Sequence, residues 1–134
     1  MRSDAANPDV QVAIASSDDV VVARQKGRAL ALEIGFTASE ATLIAAAISE
    51  LARNIVRYAG AGEMLLRDDG NGMLLMVARD RGPGIPDVKA ALRVGFSTSG
   101  GLGMGLPGVR RIADVFEIVS NGAGTTVTVG KYKR

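Results

Sequence analysis

The chain contains no cysteine, no histidine and no tryptophan among its 134 residues. Without cysteine and histidine it has no thiol nucleophile, no disulfide, no thiolate or imidazole zinc site and no histidine general base. Any chemistry must therefore rely on carboxylates, amides, hydroxyls and cations. Aromatic residues make up only 4% of the chain, so we expect a core built from Ala, Val, Ile, Leu and Met.

Long apolar runs and clustered charges are also scarce. No run reaches the roughly 18 residues of a membrane span, and the first residues lead into no signal-type apolar stretch. We therefore expect a cytoplasmic protein with no membrane partner. The net charge is +2, but the cations are scattered apart from Arg110-Arg111 and residues 131–134. Because nucleic-acid binding usually needs a basic face, this scatter argues against a nucleic-acid partner.

The length and the 47% hydrophobic content predict one domain over residues 1–134, with the polar residues 1–8 disordered. Hydrophobic periodicity and turn residues divide it into helices and strands. The predicted elements are a strand at 10–15, helices from Asp18 or Asp19 to Ile34 and from Thr37 to Gly60, a hairpin with strands at 63–67 and 73–79, a short helix at 86–94, a helix at 106–115, and strands at 116–120 and 125–132. Strands grouped in hairpins predict an α+β fold, a two-layer sandwich with helices on one face of a mixed, mostly antiparallel sheet.

The long second helix carries a short polar stripe. Glu50, Asn54 and Arg57 are spaced i, i+4, i+7 and therefore share one face. The stripe could be the solvated side of an amphipathic helix. However, the same face continues through Ala47 and Leu43, so the polar patch is local, and a polar patch on an apolar helix needs a partner.

A second polar group follows the apolar strand at 73–79. Asp80 ends that strand, and Gly82 and Gly84 follow at alternate positions. One interpretation is a plain Asp-x-Gly turn. The functional interpretation is that the Asp80 carboxylate accepts a hydrogen bond from an exocyclic amine, while the two glycines let a flat ring approach the backbone.

A glycine-rich loop precedes the helix predicted at 106–115. Residues 103–108 match G-x-G-x-x-G, but no strand lies directly before them and no acidic residue stands about twenty positions later, as a dinucleotide-binding unit requires. The chain also lacks the Gly-Lys-Ser/Thr of a P-loop. What remains is a flexible loop that feeds a helix N-terminus, which is an anion site able to close over its ligand.

The order of these segments resembles the Bergerat-type ATP-binding fold shared by gyrase, the Hsp90 chaperone, histidine kinases and MutL. The segment from Glu50 to Asn54 resembles the N box of that superfamily, and residues 80–84, 101–105 and 122–126 resemble its two glycine boxes and its threonine motif. Within this GHKL superfamily, the amino-acid sequences of residues 49–55, 82–87 and 95–109 are similar to those of one group, the RsbT-type serine kinases. This resemblance covers nearly the whole chain.

The resemblance implies ATP and Mg²⁺ as cofactors and assigns a role to each matching residue. Glu50 would be the catalytic residue that orients the attacking hydroxyl or accepts its proton, and Asn54 would bind the nucleotide-associated Mg²⁺. The segment from about Ile85 to Gly100 would be a lid. The residues implied to bind the nucleotide, besides Asn54, are Arg57, Asp80, Gly82, Gly84, Gly101, Leu102, Gly103, Met104, Gly105 and Thr125.

The implied function is that of an ATP-dependent serine/threonine-protein kinase. Its substrate would be a STAS-domain antagonist in a bacterial partner-switching pathway for stress or sigma-factor regulation, with a phosphatase or a sigma-factor regulator as a further partner. Since the chain has no histidine to phosphorylate, the phosphoacceptor must come from another protein. The alternative is a non-catalytic ATP-binding switch or an anti-sigma factor that acts by partner capture.

Overall fold

Four helices and five strands form the part of the chain that the computed structural model describes, residues 8–93 and 105–134. In chain order the elements are β1 (Val10–Ile14), α1 (Ser17–Ile34), α2 (Ala38–Ala59), β2 (Gly62–Asp68), β3 (Met73–Asp80), α3 (Val88–Ala91), α4 (Gly105–Ile112), β4 (Val115–Asn121) and β5 (Gly124–Tyr132). The predicted elements are all present, although α3 is shorter than predicted and α4 ends at Ile112 instead of near Val115. The predictions for residues 1–7 and 94–104 lie outside the described residues.

The strands form one sheet in the order β1-β2-β3-β5-β4. Each of the four pairings is antiparallel. The α+β class is confirmed, but the parallel pair that a mixed sheet would contain is missing from the described strands. The pairs β2–β3 and β4–β5 are hairpins, and the two helices between β1 and β2 return the chain so that β2 runs opposite to β1.

The start of α1 differs from the sequence prediction. Ser16 is the N-cap, and its hydroxyl accepts a hydrogen bond from the backbone N–H of Asp19. The prediction of Asp18 or Asp19 as the cap was wrong, because both carboxylates lie in the first turn, where they stabilise the positive end of the helix dipole. Asp19 in turn accepts from the N–H of Ala15 at 2.8 Å.

The helix α2 is fixed at its start by a capping box and along its length by burial. Thr37 and Glu40 exchange hydrogen bonds between side chain and backbone. Gly27 of α1 lets the two helices approach each other closely, since a methyl group on Gly27 would lie 2.1 Å from Cδ1 of Ile48 in α2. The largest of the fully buried side chains belong to the expected aliphatic core: Ile14, Ile44, Ile48, Leu51, Met64, Leu66, Leu74, Met76, Val109 and Val129.

The far end of the β4–β5 hairpin is closed by Asp114. Its carboxylate pairs with the Arg134 guanidinium and accepts from the N–H of Tyr132 at 2.7 Å. These two donors, Arg134 first, lower the pKa of the Asp114 carboxyl to about 2. Asp114 is therefore ionised at neutral pH and joins the start of β4 to the end of β5.

None of the described helices is both long enough and apolar enough to cross a bilayer.

Candidate functional site

Asp80 lies where β3 ends beside the first residues of β5. One of its carboxylate oxygens, Oδ1, accepts hydrogen bonds from the backbone N–H of Gly82 at 2.9 Å and of Thr125 at 3.2 Å. Asp80 and Thr125 are also opposite each other in the β3–β5 register. The structure therefore brings together two predicted site residues that are 45 positions apart in the chain.

Ser120 connects this pair to the segment that follows β3, and the sequence analysis did not identify it. Its hydroxyl accepts from the N–H of Ile85 at 2.7 Å and lies 2.7 Å from the hydroxyl of Thr125. The available signal was the β4–β5 hairpin, because Ser120 is the cross-strand partner of Thr125. Ser120 thus fixes both Thr125 and the first residue of the predicted lid.

The two glycines after Asp80 have protein neighbours that leave no room for a side chain. A methyl group on Gly82 would lie 2.5 Å from Cβ of Ala59, at the end of α2. A methyl group on Gly84 would lie 2.3 Å from the carbonyl oxygen of Asn121, and Gly84 has a φ of +90°. The structure therefore gives these glycines a packing role between chain segments, and the approach of a flat ring to them stays a prediction.

Replacement of Gly84 by alanine is expected to destabilise the protein by about 2–4 kcal/mol. The alanine would combine a left-handed backbone with a clash against a backbone atom. Gly70 is a matched control, since its φ is +83° and nothing lies within 4 Å of its added methyl group. Gly70→Ala is expected to lose only about 1 kcal/mol. Urea unfolding of both variants measures the difference, and equal losses would contradict the packing role of Gly84.

Asp80 and Thr125 border a small cavity between α2 and the sheet. The volume of this cavity is about 10 Å³, which is close to the minimum that holds one water molecule. The walls are mainly aliphatic, with a carboxylate and a hydroxyl at one side; the lining residues are Leu51, Asn54, Ile55, Tyr58, Ala78, Asp80, Ile85, Thr125 and Val127. Apolar walls with a few convergent polar groups suit a flat heteroaromatic ring, although the cavity must widen before such a ring can enter.

The polar stripe of α2 lines a second and larger space. Glu50, Asn54 and Arg57 all border a groove of about 340 Å³ between α2 and the start of α1. Glu50 is only 4% exposed. Its Oε2 accepts from Nη1 of Arg53 at 3.0 Å, and its Oε1 accepts from the N–H of Gly105 at 3.3 Å. The local polar patch predicted from the sequence thus has partners, one of them at the N-terminus of α4.

Asn54 is the residue that the two spaces share. It lines the aliphatic cavity with Asp80 and also the groove with Glu50. A ligand that places its ring beside Asp80 and its polar tail beside Glu50 therefore has to pass Asn54. Arg57 is exposed at the groove, with its guanidinium 5.2 Å from the centre of the Tyr58 ring.

The oxygen donors near Asn54 limit the ways in which Mg²⁺ can bind here. Within residues 8–93 and 105–134, no group of three or more Asp, Glu, His or Cys side chains could hold a metal ion. Mg²⁺ in nucleotide sites is usually bound by one or two protein oxygens together with phosphate oxygens and water. The Asn54 amide, one helical turn from the Glu50 carboxylate, fits a metal that arrives with a nucleotide. It does not fit a metal held by protein alone.

The predicted glycine segment is described only at its last residue. Gly105 begins α4, is buried and donates to Glu50. Gly101, Leu102, Gly103 and Met104 lie outside the described residues, so their predicted contacts with phosphate remain predictions. The described part of the predicted lid runs from Ile85 through α3 to Arg93.

Comparisons with known proteins agree with this arrangement. Residues 14–131 match the model of the histidine kinase-like ATPase domain. The serine/threonine-protein kinase RsbT of Bacillus subtilis (strain 168) is 48% identical over 127 residues, which are 92% of this chain and 96% of that protein. A crystal structure of the RsbU and RsbW domains of a Mycobacterium tuberculosis protein superposes with a TM-score of 0.67 at 22% identity. That match covers 92% of this chain but only 31% of the other, and it shows the fold alone.

Proposed function

Since the chain belongs to the RsbT-type serine/threonine-protein kinases of the histidine kinase-like ATPase family, we propose that its protein substrate is a STAS-domain antagonist. The kinase uses ATP, and phosphorylation of that antagonist would place it in a partner-switching pathway of the bacterial cytoplasm. A phosphatase or a sigma-factor regulator would be the next partner in such a pathway.

The substrate class rests on the similarity to RsbT, and the observation that carries the nucleotide part of this proposal is the position of Asn54 between two different spaces. One space offers aliphatic walls with Asp80 and Thr125, and the other offers Glu50. ATP has the same division, with a flat base at one end and the transferable phosphate at the other. A nucleotide bound along these two spaces would have its base at Asp80 and its γ-phosphate at Glu50, and this correspondence supports the proposal.

Asp80 would accept a hydrogen bond from the exocyclic amine of adenine. Its Oδ1 already accepts from Gly82 and Thr125, which fixes the carboxylate before the nucleotide arrives. Thr125, held by Ser120, would support the same edge of the base through its hydroxyl. Asp80 would therefore select a base that has a hydrogen-bond donor at this edge, because a carboxylate can only accept.

Glu50 would orient the acceptor hydroxyl and take its proton. Phosphoryl transfer requires mainly position and charge stabilisation, with little covalent chemistry from the protein. Asn54 would hold the Mg²⁺, which when bound neutralises charge on the β- and γ-phosphates. The N–H groups of residues 101–105 would bind phosphate oxygens, and Arg57 would supply a cation from the groove side.

The test is transfer of labelled phosphate from ATP to a purified STAS-domain protein with a serine or threonine at its regulatory position. We expect labelling that requires both the kinase and Mg²⁺ and maps to that hydroxyl. Capture of the STAS-domain protein without any label would contradict the proposed substrate role. It would favour instead the alternative of an ATP-dependent switch that acts by binding.

A further inference from the structure

The groove that contains Glu50 has a second wall, whose residues do not border the cavity beside Asp80. Besides residues of α2 it is lined by Ser17 and Val20 from the first turn of α1. A general base must lie within about 2.6–3.2 Å of the hydroxyl that it deprotonates. Because this groove leads from solvent to Glu50, an acceptor side chain can enter through it without crossing the nucleotide cavity.

Both carboxylate oxygens of Glu50 are engaged in the described structure. Gly105 holds Oε1, and the Arg53 guanidinium holds Oε2 in an ion pair at 3.0 Å. The Glu50 side chain is 5% exposed, whereas that of Arg53 is 49% exposed. Arg53 therefore lies on the solvent side of the carboxylate, where an entering hydroxyl meets the ion pair first.

We propose that Arg53 recognises the protein substrate and positions the base: a carboxylate beside the acceptor hydroxyl takes over the Arg53 guanidinium, and Oε2 of Glu50 is released toward the hydroxyl. This inference rests on the proposed kinase function. The guanidinium keeps a carboxylate partner through the exchange, and the freed Oε2 of Glu50 accepts a hydrogen bond from the hydroxyl in place of the one from Arg53. The half-exposed guanidinium can turn toward the groove while its aliphatic stem stays in place.

The step that follows transfers the γ-phosphoryl group of ATP to the acceptor hydroxyl. The hydroxyl oxygen forms a bond to the γ-phosphorus as the bond between that phosphorus and the β–γ bridging oxygen breaks. ADP leaves with the electron pair of the broken bond, and the hydroxyl proton moves to Oε2 of Glu50.

The lining of the groove determines which acceptor fits. Arg53 selects a serine or threonine with an acidic neighbour, and Val20 and Val56 favour an apolar residue close by.

Arg53→Met tests the assignment because it keeps the stem and removes the charge. Arg28→Met is the matched control, since Arg28 is exposed on α1 and does not line this groove. For Arg53→Met we expect the KM for the STAS-domain substrate to rise about tenfold or more. ATP hydrolysis without substrate should rise several-fold, because Oε2 is no longer held by the guanidinium. The Kd for ATP should stay within about twofold of the wild-type value.

A merely structural role for Arg53 predicts a different result, in which transfer, hydrolysis and ATP affinity fall together. That result would overturn the inference, as would an unchanged KM or an unchanged hydrolysis rate. The hydrolysis measurement needs no partner, so it tests Arg53 even if no STAS-domain protein is labelled by the wild-type chain. Absence of labelling by the wild type contradicts the proposed function instead.

A charge exchange provides the second test. Arg53→Glu should lose transfer to the wild-type substrate, and replacement of one acidic residue near the acceptor hydroxyl by lysine should restore at least a tenth of it. The acidic residues within a few positions of the acceptor are changed one at a time. Failure of every exchange to restore transfer would contradict recognition by Arg53.

Discussion

Replacement of Asp80 by asparagine is expected to weaken ATP binding by about a hundredfold or more. The asparagine oxygen can still accept from Gly82 and Thr125, so the turn after β3 keeps its hydrogen bonds. The other carboxylate oxygen, however, becomes an NH₂ group that faces the amine of adenine. Two donors then meet in a largely apolar cavity, and each is left without an acceptor.

Isothermal titration calorimetry with ATP measures this loss directly. Asp69→Asn is a close control, because Asp69 also accepts two backbone N–H groups in a turn, those of Asn71 and Met73, but lies outside the cavity. Urea unfolding should show similar stability for both variants. Unchanged ATP affinity in Asp80→Asn would exclude the adenine role of this carboxylate.

Replacement of Glu50 by glutamine is expected to lower phosphate transfer by about 10²–10⁴-fold, the usual contribution of a positioned general base. The glutamine oxygen can still accept from the N–H of Gly105, so the contact between α2 and α4 survives. ATP should bind with nearly wild-type affinity, because Asp80 and Asn54 are unchanged. The loss is therefore expected in kcat and not in nucleotide binding.

Single-turnover transfer with saturating ATP separates these two effects. Glu117→Gln is a control, since Glu117 lies exposed on β4, away from both the groove and the cavity. Wild-type transfer by Glu50→Gln would show that this carboxylate neither orients nor deprotonates the hydroxyl. Equal loss of ATP binding and transfer would show that Glu50 acts on the nucleotide.

The sequence predicted the elements well because the local signals were strong. Asn71-Gly72 marked the β2–β3 hairpin, and Thr37 with Glu40 marked the start of α2. The wrong cap for α1 has a local cause as well. Ser16, Asp18 and Asp19 are all good capping residues, and propensity alone does not choose among them.

Local patterns in the sequence grouped the candidate site residues but did not contain the contacts between them. Glu50 and Asn54 share a helix face by spacing alone, whereas the bond from Gly105 to Glu50 joins residues 55 positions apart. The contact of Ser120 with Ile85 depends on the register of β4 against β5 and on the path of the chain after β3. Such contacts are set by tertiary packing, which no local pattern contains. For the same reason the packing role of Gly82 against Ala59 was missed.

The small volume of the cavity beside Asp80 has a thermodynamic consequence. A volume of about 10 Å³ is smaller than a nucleotide base, so we expect a base to bind those molecules in which the cavity is wider. The apparent affinity is then the intrinsic affinity multiplied by the open fraction. Ser120 holds Ile85 in the wall of this cavity, so we expect that bond to influence the open fraction. Nucleotide occupancy would then depend on how Ile85 is held as well as on the ATP concentration.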